Sequence, residues 1–182
     1  MHNYYLKKYY FINKFDKNHL EKLNKKISII YRNYKKFDDV KLILELRNFF
    51  RKRGTKFFLA NNVKLAVKLN LDGVYLPSFN KNLLIRLYKF RNNFSIIGSA
   101  HNIKELRIKL NQGCGEIFLS PVFKKKSYYL GLYGLINLMQ FNTKKTIALG
   151  GIDKTNRKIL DLTGVFGFAA INYFDKKKAP NK

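Results

Sequence analysis

Residues 56–76 read KFFLANNVKLAVKLNLDGVYL. The stretch opens on an apolar, aromatic-rich run, KFFLA (56–60). A short helical pattern follows over 63–69. A second apolar run, GVYL (73–76), closes it. Neither run alternates polar with apolar residues. Continuous apolarity over four or five positions predicts strands buried on both faces, which is the signature of a parallel sheet. Strand, helix and strand in that order predict a right-handed crossover unit.

The same pattern repeats outward in both directions. Strand-like runs occur at YYFI (9–12), ISIIY (27–31), FSIIG (94–98), EIFLSPVF (116–123), TIALGG (146–151) and FGFAAINYF (166–174). Helical candidates lie between them at 17–25, 38–51, 81–91, 102–111, 131–140 and 154–163. In the second, Val40, Leu44, Leu46 and Phe50 fall near one side, with Asp38 or Asp39 as the cap. Eight strands alternating with seven helices predict an α/β protein, a small (β/α)8 TIM barrel. An open doubly wound sheet is the alternative. After Phe174 only DKKKAPNK remains, so the eighth helix is expected to be missing. The flank it would cover then needs the N-terminal segment, another chain, or solvent. On that ground a homo-oligomer is expected. One barrel domain over 1–182 is predicted, with a short basic tail at 175–182.

Hydrophobic residues make up 46% of the 182, enough for a core and against wholesale disorder. The formal charge is +26, from 37 Lys+Arg against 11 Asp+Glu. Such a charge either neutralises nucleic-acid phosphates or reflects a compositional bias shared with abundant Asn, Ile, Tyr and Phe. The basic residues are scattered along the chain rather than gathered, which favours bias over nucleic acid. One cysteine, Cys114, excludes an internal disulfide framework. No apolar run reaches the roughly 18 residues of a membrane span, and the first residues lack a signal-peptide core. A cytoplasmic protein is expected, with no membrane partner.

In such a barrel the strand C-termini and the loops after them form the functional face. That places Arg32 and Asn33 after strand two, Asn61 and Asn62 after three, Ser78 and Asn80 after four, and Ser99 and His101 after five. Ser120, Lys124–Lys126 and Ser127 follow strand six. Gly150, Gly151 and Asp153 follow seven, and Asn172 and Asp175 follow eight. Paired glycines at a strand tip let backbone N–H groups approach a phosphate, or simply make the turn. Arg32 and the lysine run add positive charge. Carboxylates are scarce at this face. Asp72 and Glu116 sit at the opposite strand ends, Glu105 and Asp161 are helical, and only Asp153 and Asp175 remain. A magnesium site built on one or two carboxylates is poorly provided for. His2 and His19 fall away from this face. His101 is either a general base or a partner at the mouth of the following helix.

Five segments, in order, carry a family likeness. LDGVYLPS resembles A-D-G-V-H-L-G-Q, IIGSAHNIKEL resembles I-G-x-S-x-H-S-x-x-E, and CGEIFLSPVFKKKS resembles A-D-Y-I-x-x-G-P-V-F-x-T-x-T-K. IALGGI and GFAAINYF resemble A-I-G-G-I and G-V-A-V-I. These are segments of the thiamine phosphate synthase and thiazole tautomerase (TenI-like) family. The likeness runs from about Ile27 to Phe174. It implies a (β/α)8 barrel and a transferase of thiamin biosynthesis. That enzyme joins hydroxymethylpyrimidine diphosphate to thiazole phosphate, releases pyrophosphate and uses Mg2+.

Residue by residue, the likeness carries over unevenly. The diphosphate-holding Q-x-R-x-K falls on Ile30, Arg32 and Tyr34, keeping the arginine. The cation-binding aspartates fall near Asn61 and Asn80, so no metal ligand is assigned. The serine after strand five matches Ser99. The T-x-T-K loop falls on Lys125, Ser127 and Tyr128. The thiazole-phosphate glycines match Gly150 and Gly151, with Ile171 and Asn172 at the next tip. The tautomerase histidine position holds Pro121. The resemblance thus implies Arg32, Ser99 and Ser127 in catalysis. It implies Arg32, Ser120, Lys125, Gly150, Gly151, Ile171 and Asn172 in phosphate binding. Arg32 and Lys124–Lys126 would replace part of the metal's work. A non-catalytic phosphate-ester binder and a basic nucleic-acid-associated barrel stand as alternatives.

Overall fold

The computed structural model describes residues 6–34, 39–123 and 129–175. Eight strands close into a barrel in chain order, each parallel to the next, with the first pairing with the last. They are β1 (Lys7–Ile12), β2 (Ser28–Tyr31), β3 (Phe57–Ala60), β4 (Gly73–Leu76), β5 (Ser95–Ala100), β6 (Glu116–Leu119), β7 (Lys145–Leu149) and β8 (Gly167–Ala170). Closure leaves no edge strand and excludes the open sheet. The extended runs at 116–123, 146–151 and 166–174 end earlier than their apolarity suggests. Their last residues form loops at the barrel mouth.

Among the described residues five α-helices lie outside: α1 (Lys17–Glu21), α2 (Val40–Arg53), α3 (Val63–Lys68), α4 (Ile103–Asn111) and α5 (Gly131–Gln140). Side-chain caps start four of them. Asp16, Asp39, Asn62 and Asn102 each accept a backbone N–H three residues on. In α2 the buried set is Ile43, Leu46 and Phe50, whereas Val40 is exposed. Asp39 is its cap, and Asp38 lies outside the described residues.

The segments 81–91 and 154–163 hold only single 3-10 turns, over Leu83–Leu87 and Arg157–Leu162. Each buries one residue, Ile85 or Leu160. One anchor does not hold a second helical turn against the strands, and short helices depend on such packing. Leu83, Leu84 and Leu87 are left exposed.

Two layers of side chains fill the molecule. Inside the barrel lie Tyr9, Phe11, Ile30, Phe58, Tyr75, Ile97, Phe118, Ile147 and Ala169. Phe118 meets Tyr9 at 5.0 Å and Tyr75 at 5.6 Å between ring centres. The interior is therefore an aromatic plug, not a pore. Outside, the remaining strand residues pack under the helices. Among the described residues no helix follows β8. The β8–β1 flank is covered instead by the turn after β8, where Phe174 lies 5.3 Å from Tyr10 and 6.1 Å from Phe168. Phe174 thus packs over the flank that an eighth helix would cover.

Candidate functional site

All eight strands run the same way, so their C-termini form one mouth. Arg32, Ser99, Ser120, Gly150, Gly151, Ile171 and Asn172 all belong to that end. Lys125, Ser127 and Tyr128, with the rest of Lys124–Tyr128, lie outside the described residues.

Arg32 follows β2. Its N–H donates to Ile12 O at 2.8 Å, tying the tips of β2 and β1 together. Its guanidinium carbon lies 4.7 Å from the centre of the Phe11 ring. Phe11 meets Tyr75 edge-on at 5.1 Å. Arg32 therefore rests on the top of the aromatic plug, where a planar cation is favoured over the ring face. Burial raises the Tyr34 hydroxyl, and the Arg32 charge opposes that rise.

A cavity of about 360 Å³ opens beside Arg32. Its wall includes Asn13, Lys14, Asp16, His19, Ile171 and Asp175. Arg32 and Ile171 thus share one wall, as the sequence placed them. Asp175 joins them too. Asp16 and His19 correct the sequence reading, which put both away from the functional face. The loop after β1 ends at the mouth, and α1 starts from it. Residues 13–16 directly follow the run YYFI, and that position was the available signal. The Tyr10 hydroxyl is pushed up to about 12, first by burial and then by the Asp175 and Asp16 carboxylates. The wall is of mixed charge, with Arg32 and Lys14 against two carboxylates.

Ser99 lies within β5 rather than after it, because the strand runs to Ala100. It is 3% exposed, and its Oγ accepts from the Tyr75 hydroxyl at 2.9 Å. Burial, offset by that bond, pushes the Tyr75 hydroxyl up to about 12. Ser99 thus sits in the barrel interior, beneath the mouth. Ser120 is also buried, and its N–H donates to Ala100 O.

The two glycines after β7 have different reasons. Gly150 has φ +97°, and a Cβ there would lie 2.8 Å from Pro121 Cα. Val122 N–H donates to Leu149 O and Phe123 N–H to Gly150 O. The loop after β6 is laced to the tip of β7, and only glycine admits that approach. Gly151 has φ +76°, and its carbonyl accepts from Asn156 Nδ2 at 2.8 Å. Asp153 is turned to local use. Its Oδ1 accepts from Thr155 Oγ1 and from the N–H groups of Thr155 and Asn156. Those bonds, led by the Thr155 hydroxyl, hold its carboxyl below the usual range. Asn172 is exposed. His101 Nδ1 meets Glu105 Oε2 at 2.9 Å, and the same oxygen accepts from the His101 N–H. The imidazole belongs to the start of α4.

Asn61 and Asn80 come together. Asn80 Nδ2 donates to Asn61 Oδ1 at 2.7 Å. Asn80 Oδ1 in turn accepts from Gln112 Nε2 and from Asn82 N–H. Both amide oxygens are therefore occupied, and neither carries charge. Mg2+ prefers carboxylate oxygens and near-octahedral geometry. This donor set does not fit it. Among the described residues no group of three or more His, Cys, Asp or Glu is placed to hold a metal. No helix there is long and apolar enough to cross a membrane.

Comparison with known proteins agrees with the geometry. The family profile described as "Thiamine monophosphate synthase" matches residues 17–174. A protein of Aquifex aeolicus, provisionally named thiamine-phosphate synthase 2, is 30% identical over 165 residues, covering 85% of this chain and 87% of its own. The thiamine-phosphate synthase of Limosilactobacillus reuteri is 29% identical over 146 residues, covering 76% and 67%. Among solved structures, the thiamine phosphate pyrophosphorylase from Pyrococcus furiosus superposes with a TM-score of 0.68 at 21% identity, covering 92% of this chain and 90% of that one. At that identity the likeness speaks for the fold.

Proposed function

The chain belongs to the thiamine monophosphate synthase family, and from that membership we propose that it joins hydroxymethylpyrimidine diphosphate to thiazole phosphate and releases pyrophosphate. In this reading the CH2–O bond of the diphosphate breaks, and both electrons leave with pyrophosphate. The thiazole nitrogen then gives its lone pair to the exposed carbon. The new C–N bond makes thiamine phosphate. The residues supply charge and position rather than a nucleophile.

The observation that carries the reading is Arg32 on the Phe11 ring, lining a cavity with Lys14 and Ile171 at the tips of β1, β2 and β8. A guanidinium meets phosphate oxygens through two parallel N–H donors. Held in place by the aromatic plug, it stabilises the charge that grows on the departing diphosphate. The tight β6–β7 lacing at Gly150 sets the other side of the mouth, where the thiazole phosphate is proposed to bind. Ser99 acts below, through its bond to Tyr75, as a positioning group. Ser120, Gly151, Asn172, Lys125 and Ser127 complete the proposed phosphate contacts. No step is assigned to a cation.

Incubating the native chain with both substrates and following thiamine phosphate tests this. Product from the native chain, and its loss in Arg32→Ala, is the expected result. No product at any magnesium concentration removes the transferase reading. A second reading, binding without turnover, is favoured by the neutral Asn61–Asn80 pair. It predicts calorimetric heat with thiazole phosphate and no product.

A further inference from the structure

Two strand tips that would present carboxylates to a cation present amides to each other. The bond from Asn80 Nδ2 to Asn61 Oδ1 is 2.7 Å long. A cation between two carboxylates holds them together and brings positive charge to the mouth. Here the holding is done by a hydrogen bond. It is then reinforced from behind. Gln112 Nε2 donates to Asn80 Oδ1, to Asn80 O and to Asn82 O at 3.2, 3.1 and 3.0 Å. Lys109 Nζ donates to Asn80 O at 2.6 Å and to Gln112 Oε1 at 2.9 Å. Lys109 and Gln112 are both fully buried.

The pattern of donors gives the pair a direction. Asn80 Oδ1 takes two donors, so the Asn80 amide is fixed with its NH2 toward Asn61. Asn61 Oδ1 is taken in turn. The network therefore ends on the Asn61 NH2, a donor. Asn61 holds φ +61°, a backbone state that asparagine tolerates better than most residues. The Lys109 ammonium adds a buried positive charge one bond behind Asn80. A carboxylate at either position would repel a phosphate ester unless a cation intervened. An amide donor does not need one.

We infer that the Asn61–Asn80 pair, set by Lys109 and Gln112, replaces a divalent cation at the tips of β3 and β4. The mouth then handles its phosphorylated ligand without a resident metal there. The inference rests on the family reading for the identity of the ligand, but not for its cation test.

That test uses Mn2+ alone, followed by the EPR signal of the free ion, with no substrate present. The native chain and N61D/N80D are titrated side by side. Restoring both carboxylates is expected to tighten Mn2+ binding at least about tenfold over the native chain. A native chain that binds Mn2+ as tightly as the double variant overturns the inference. So does a double variant that gains nothing, because the two positions then do not converge on a cation-sized gap. If the double variant fails to fold, N80D alone, checked by circular dichroism, carries the same comparison. A turnover assay adds a second arm. Native product formation unchanged by EDTA supports the inference, and a rise of about tenfold or more on adding Mg2+ overturns it. A native chain that yields no product in either condition removes the transferase reading, and the Mn2+ comparison still decides this one.

Discussion

At the floor of the barrel, Lys7 Nζ lies 2.5 Å from Glu116 Oε1, and the Tyr9 hydroxyl donates to Glu116 Oε2 at 2.6 Å. Asp72 Oδ2 accepts the Phe57 N–H at 2.9 Å. Each of these two carboxylates is occupied by a neighbour on another strand. At the mouth the arrangement is reversed. Arg32 lies over Phe11 with an open cavity beside it, and Asp16, His19 and Asp175 line the same wall. The fold thus ties off both of these carboxylates at the floor, whereas the β1–β2–β8 side of the mouth brings charged side chains to a cavity, and the β3–β4 side ties its amides together. The difference separates residues that hold the barrel from residues that face a ligand. It also separates the two ways a substitution can act, on stability or on chemistry.

The largest expected effect breaks the comparison at the mouth. Arg32→Ala removes the one guanidinium placed on the aromatic plug. Product formation should fall about 100-fold or more, the usual cost of losing a donor that stabilises developing charge. The thermal midpoint should move little, because among the described residues the guanidinium forms no ion pair. A variant with full activity would detach the cavity from the chemistry.

Glu116→Ala tests the floor in the opposite sense. It strands the buried Tyr9 hydroxyl and unpairs Lys7. The stability loss should be about 3 kcal/mol, which lowers the melting temperature by roughly 10 °C in a chain of this size. Ligand affinity at the mouth, measured below the transition, should be unchanged. If affinity falls with stability, the two ends are not independent.

Gly150→Ala lies between these cases, since Gly150 is a packing residue at the functional end. Its Cβ would meet Pro121 Cα at 2.8 Å, and its φ of +97° disfavours any side chain. A loss of about 2 kcal/mol is expected, together with weaker calorimetric binding of thiazole phosphate. Weaker binding without destabilisation would mean that the glycine serves the ligand alone.

The barrel was legible because burial on both faces writes itself as continuous apolar runs such as KFFLA and GVYL. Strand tips were legible for the same reason, so Arg32, Ile171 and Asp175 fell on one wall. Four things were not. The segment 81–91 carries leucines at helical spacing, yet within Leu83–Leu87 only Ile85 is buried. Asp16 and His19 were missed because the ends of strands two to eight were read and that of strand one was not. Ser99 was read as a loop residue because the apolar run was ended at Gly98. That glycine faces outward, where a Cβ would lie 2.8 Å from Cys114 Sγ and from Lys109 Cδ. The partnership of Lys109 and Gln112 with Asn80 is beyond sequence, since it joins residues 29 and 32 positions apart.

That partnership gives the smallest and most specific prediction. Lys109 sits in the last turn of α4 and reaches the loop after β4 only through Asn80 O, and it is fully buried and tied off as the floor groups are. Burial brings its ammonium down from the usual 10.5 to about 8. Between those values the unfolded chain holds a proton that the folded chain has released. Stability therefore rises with pH across that window. The gain should be about 1 kcal/mol between about pH 8 and pH 9. Lys109→Met has no such proton, so the native-minus-variant difference reads out the lysine. Denaturant melts of both proteins over that range measure it. A difference that stays flat would mean that Lys109 keeps its proton, held by Asn80 O and Gln112 Oε1. The charge behind the amide pair would then persist at high pH, and the mouth would be as firmly tied at Asn80 as the floor is at Glu116.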